Sequence, residues 1–81
     1  MEYIFSFSSR NSAFRFADAV ADMGGAAKVV NAPIKNGSGC GLAVKCNDYK
    51  LCQDALAFGN YAALRDIYAY DGQTYKVLYS S

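Results

Sequence analysis

Residues Tyr3 to Ser9 read Tyr-Ile-Phe-Ser-Phe-Ser-Ser, with Tyr3, Phe5 and Phe7 on one side and Ile4, Ser6 and Ser8 on the other. Strict alternation with one strongly apolar face specifies a β-strand. The period then changes. Ser9 offers an N-cap, and from Arg10 to Met23 the apolar residues Ala13, Phe16, Ala17, Val20 and Met23 recur at helical spacing until Gly24-Gly25 ends the run.

The remaining chain repeats the same alternation of elements. Ala26 to Pro33 is a short β-branched run closed by proline, and after a polar loop Leu42, Val44 and Cys46 share one face of a third element. Asn47 or Asp48 caps a second helix through about Phe58, with Leu51, Ala55, Leu56 and Phe58 as its expected buried stripe and Gly59-Asn60 as its stop. Leu64–Tyr70 and Thr74–Ser80 flank Asp71-Gly72, a short hairpin signal. The order β-α-β-β-α-β fits an α+β, ferredoxin-like sandwich, an antiparallel sheet with two helices on one face, plus a C-terminal hairpin strand. With 81 residues the chain forms a single domain, 1–81.

Composition narrows the function classes. Eight basic and seven acidic side chains give a net charge of +1 without a like-charged run, so neither nucleic acid nor a membrane surface is the expected partner. The N-terminus lacks the basic flank and apolar stretch of a signal peptide, and no apolar run approaches the roughly 20 residues that cross a bilayer. A cytoplasmic location is expected. Three cysteines make a disulfide framework a poor expectation, and a reducing compartment keeps them as thiols. The chain has no histidine, which removes Ser-His and Cys-His nucleophile pairs and His-containing zinc motifs. Neither a metal nor a cofactor is expected. Asp18 and Asp22, one helical turn apart, suit a solvated face, and Lys28, Lys45 and Lys50 suit surface positions.

Chemistry therefore falls to cysteine. Cys40 stands between Gly39 and Gly41, with Gly37 and Ser38 just upstream. In a ferredoxin-like order the loop before the third strand lies where the first strand ends and the first helix begins, so Cys40 is expected near Ser9 and Arg10. Free N–H groups and the positive end of the helix dipole favour an anion there and lower a thiol pKa below its usual value of about 8.5. The glycines allow positive φ and leave the sulfur open. The simpler account is a tight glycine turn with a space-filling cysteine. Cys46 lies six residues further along, roughly 20 Å at about 3.3 Å per residue, too far to bond Cys40. Cys46 and Cys52 are expected at the far end as small buried hydrophobes.

The aromatic first strand, the following helix and the segment Asn31-Ala32-Pro33 through Ser38-Gly39-Cys40-Gly41-Leu42-Ala43 resemble the Putative Se/S carrier protein-like family, a group of small bacterial proteins, over about residues 2–70. The resemblance implies that Cys40 is the carrier atom, a thiolate that holds a persulfide or selenenyl-sulfide between donor and acceptor proteins, a carrier rather than a true enzyme. The expected binding surroundings of Cys40 are Ser38, Gly39 and Gly41 of its own segment, Ser9 and Arg10 at the start of the first helix, and Lys35, with Arg10 or Lys35 helping to hold an anion. The family often has arginine directly after the proline. Here that position is Ile34, with Lys35 next.

Two other classes share this architecture. RNA-recognition domains do, but Cys40, Leu42 and Lys45 stand where their motif needs aromatics. A dimerising interaction module with no chemistry would use Tyr68, Tyr70, Tyr75 and Tyr79 as exposed tyrosines, which serve equally as cross-strand stabilisers. A small sheet with an open edge can be monomer or homodimer.

Overall fold

Strand β1 (Glu2–Phe7) lies at the centre of the sheet and sends Phe5 and Phe7, both fully buried, toward the helices, with Tyr3 packed beside them. These positions come from a computed structural model that describes residues 1–32, 41–59 and 61–80. Helix α1 (Arg10–Asp22) starts where the alternation stops. Ser9 is extended, at φ −129° and ψ 130°, and its Oγ accepts a hydrogen bond from the Ser12 N–H at 3.4 Å. That cap satisfies one of the donors a helix start leaves unpaired. Ala13, Phe16 and Val20 then face the sheet, buried. Gly24 ends the helix at φ +89°, a left-handed conformation glycine adopts without steric cost, while the Gly25 N–H returns to the Val20 carbonyl at 2.9 Å. Met23, expected on the apolar stripe, is the C-cap and is exposed.

The other elements are β2 (Ala27–Asn31), β3 (Leu42–Cys46), α2 (Tyr49–Gly59), β4 (Leu64–Tyr70) and β5 (Tyr75–Ser80). The strands form one antiparallel sheet in the order β2-β3-β1-β4-β5. Its first four strands have the ferredoxin-like order, and β5 extends the sheet beyond β4. The core lies between sheet and helices, where the Phe16 ring centroid is 5.0 Å from Phe5, 5.4 Å from Phe7 and 5.5 Å from Tyr61.

Asp48 caps α2, its Oδ1 accepting from the Leu51 N–H at 3.1 Å. Cys52 and Ala55 are the buried residues of this helix, and Leu51 and Leu56 pack partly against the core. Phe58 corrects the expected stripe, because it is 86% exposed. At 100° per residue it stands on the flank of the Cys52–Ala55 face, on the last turn of α2.

Ile4, Ala43 and Tyr68 form a second buried cluster with Val30, Ala32 and Tyr70. Alternation puts these residues on the sheet face away from the helices. Tyr68 thereby corrects another expectation, since it is buried rather than exposed. The β4–β5 connection spans Asp71 to Thr74, longer than a two-residue hairpin. Asp71 Oδ1 accepts from the N–H groups of Thr74 and Gln73, each at 2.9 Å, and these bonds hold its carboxyl below the ordinary carboxylate range. Strand β5 is exposed along its length, with Tyr75 stacked on Tyr70 at 4.4 Å between ring centroids.

Phe16→Ala removes the ring shared by Phe5, Phe7 and Tyr61 and is expected to cost about 3–5 kcal/mol. Phe58→Ala removes an equally large ring from solvent and is expected to change stability by less than about 0.5 kcal/mol. Urea unfolding of the two variants against the parent checks both values.

Candidate functional site at the junction of α1 and β3

Strand register determines what lies beside the start of α1. On β1 and β3, Phe5 pairs with Val44 and Ser6 with Ala43. The pairing ends there, and Leu42 and Gly41 precede Ala43 at the end of the sheet where β1 passes through Phe7 and Ser8 into α1. Gly41 has φ +86°, a conformation that L side chains rarely adopt. The Ala32 N–H donates to the Gly41 carbonyl at 2.9 Å and closes the β2–β3 connection.

Of the seven candidate site residues, the structure therefore positions Gly41, Ser9 and Arg10 at one end of the sheet. Cys40, Gly39, Ser38 and Lys35 lie outside the described residues. Ser9 serves as the helix cap, so its hydroxyl has a structural duty. Arg10 is the first helical residue and is exposed, and the first turn of α1 contains no acidic residue. The first helical bond runs from the Ala13 N–H to the Ser9 carbonyl. Earlier N–H groups of this turn have no intrahelical acceptor. Together these features give a positive terminus suited to an anionic atom.

The opposite end of β3 holds the other two cysteines. Cys46 ends the strand, paired to Tyr3 on one side and Ala27 on the other, and Cys52 is the fourth residue of α2. Both are buried, at 4% and 0% exposure. They are joined by a disulfide with a Cα–Cα separation of 7.4 Å. This corrects the expectation of separate thiols. The helix-facing side of β3 and the first turn of α2 converge on the same point of the core, so the two sulfurs meet.

At this end Lys45 on β3 lies opposite Lys28 on β2, and Lys45 Nζ is 3.5 Å from Glu2 Oε2. The ion pair is solvent-exposed, and such pairs contribute little. Among the described residues no group of three His, Cys, Asp or Glu side chains could hold a metal ion.

A buried polar pair not singled out in the sequence lies on the face away from the helices. Ser6 and Asp66 are direct cross-strand partners and both are 4% exposed. Asp66 also acts on Tyr68, whose pKa is raised by burial first and then by the Asp66 charge and hydrogen bond. The one sequence signal for this cluster is an acid on the same face of the strand as Tyr68, in Leu64-Arg65-Asp66-Ile67-Tyr68.

Residues 2–67 match the model of the Putative Se/S carrier protein-like family, and the chain belongs to that family. The match takes in Cys40 and the whole of β1 through α2, and it stops before β5. No curated protein and no solved structure matches the chain.

A raised tyrosine pKa links folding to proton binding. The folded state retains the Tyr68 proton at pH values where the unfolded chain, titrating near 10.0, has lost it. That contribution is complete below pH 10.0 and is lost as pH rises through the folded-state value. Tyr68→Phe is therefore expected to flatten the alkaline limb of the stability–pH curve while leaving its slope near neutrality unchanged, as measured by denaturant unfolding from pH 7 to about 11.

Proposed function

We propose that this protein is a sulfur or selenium carrier in which the Cys40 thiolate takes the terminal atom from a donor protein and passes it to an acceptor. The thiolate attacks the outer sulfur of a donor persulfide. The donor's S–S bond breaks, its cysteine leaves as thiolate, and a new S–S bond forms on Cys40, with no net oxidation. Selenium would move by the same exchange in place of the outer sulfur. Ser38, Gly39 and Lys35 accompany Cys40 in sequence, and Arg10 with the first turn of α1 would steady the anionic sulfur before and after transfer.

The observation that carries this reading is the division of the three cysteines. The Cys46–Cys52 disulfide occupies two of them. Neither is then available to close an intrachain disulfide on Cys40, which a single-thiol carrier must avoid. Family membership and the Gly41 register at the start of α1 support the same reading.

One observation favours a second reading. Strand β5 lies beyond the family match and exposes Tyr75, Val77, Leu78 and Tyr79. An exposed apolar edge suits pairing with another copy, which would make the protein a dimerising interaction module.

Alkylation rate against pH, read with the Cys46–Cys52 bond intact, reports Cys40 alone. The expected thiolate titrates below about 8.5, and the peptide containing Cys40 gains one sulfur or selenium atom from a small persulfide or selenopersulfide donor. Cys40→Ser abolishes the gain. A Cys40 that titrates as a free thiol and gains nothing contradicts the carrier reading and leaves the interaction module.

A further inference from the structure

Strand β5 carries the sheet past the helices, and every residue of it is exposed. On the side that the helices cover elsewhere, a half-open cavity of about 340 Å³ lies between β5, the end of β4 and the first turn of α2. Small-molecule sites begin at about this size. Its floor is the buried Ala69, a methyl group among larger side chains. Tyr3 and Tyr49 form one wall, with their ring centroids 4.8 Å apart. Leu78 adds an apolar wall from β5, and it arrives there through irregular pairing. Ile67 faces Tyr79 and Tyr68 faces Val77, so Leu78 is an extra residue without a partner on β4. Bulges of this kind re-aim side chains and recur beside functional sites. Lys76 is the cross-strand partner of Ala69 and shares its face.

The polar atoms around the cavity divide into engaged acceptors and free donors. Asp71 Oδ1 accepts from the Gln73 and Thr74 N–H groups at 2.9 Å, and its Oδ2 accepts from the Thr74 hydroxyl at 3.4 Å. The Tyr49 hydroxyl accepts from Gln53 Nε2, which leaves its own proton to donate. The Lys76 ammonium has no ion pair or side-chain hydrogen bond among the described residues. An ammonium and a phenol proton beside an apolar hollow match an anion with an apolar body.

We propose that this groove binds a small aromatic monocarboxylate, its ring against Tyr3, Tyr49 and Leu78 and its carboxylate on Lys76 Nζ and the Tyr49 hydroxyl. Tyrosine rings favour another ring in tilted or offset contact. A carboxylate accepts from both donors at once, and a charge-assisted hydrogen bond is the stronger kind. A dianionic phosphate would meet one cation with the Asp71 charge nearby, and an uncharged ring would leave Lys76 unused. The groove shares no residue with the carrier site.

The probe is phenylacetate, titrated into the isotope-labelled full chain near neutral pH while the amide signals are followed. Saturating shifts are expected at Tyr3, Tyr49, Ala69, Lys76 and Leu78, with a dissociation constant on the order of 1 mM for so small a ligand. Phenylacetamide and the Lys76→Gln variant each remove one side of the charge pair, and each is expected to weaken binding about tenfold. Acetate, which keeps the charge without the ring, is expected to give no saturating shift. Equal binding of acid and amide, unchanged affinity in Lys76→Gln, shifts centred on Met23 and Phe58, or no saturation would each overturn the inference. So would shifts along β5 that follow protein concentration and ignore the ligand, which mark a second copy in the groove.

Discussion

Phe16 stands between Phe5 and Phe7, and its contact with these two rings joins the central strand to the first helix. Because the rings occupy alternate positions on β1, α1 is held along that strand, and its first residue must lie within three residues of Phe7. The antiparallel register of β1 with β3 then brings Gly41 to the same end. The helix terminus and the residue following Cys40 are neighbours as a consequence of aromatic packing and strand pairing, two interactions with no chemistry of their own.

The same frame places Cys46 and Cys52. Cys46 falls on the helix-facing side of β3 at one end of the sheet, and Cys52 meets it from α2. Gly41, the residue that follows Cys40 in sequence, lies at the other end.

Much of the fold is legible locally. The alternation of Tyr3, Phe5 and Phe7, the Ser9 cap, the Gly24 stop and the Asp48 cap each follow from the chemistry of one short segment, and the structure has all of them. What was not legible depends on neighbours distant in sequence. Phe58 has the hydrophobicity of a core residue, but its position on the α2 flank meets solvent. Tyr68 alternates onto the face without helices, yet packing with Ile4 and Ala43 buries it. Cys46 and Cys52 are expected at the same end of the fold as separate thiols, whereas their contact depends on the distance between β3 and α2, which spacing along the chain does not specify. For the site, the structure places Gly41, Ser9 and Arg10 at one end of the sheet, while Cys40 itself lies outside the described residues.

Proximity of Cys40 to the start of α1 is the central claim, and a nitroxide on Cys40 measures it directly while the Cys46–Cys52 bond blocks labelling elsewhere. Paramagnetic broadening of amide signals is expected to be strongest at Arg10, Asn11 and Ser12. Broadening centred instead on Asn47 to Leu51, at the disulfide end, would contradict the account.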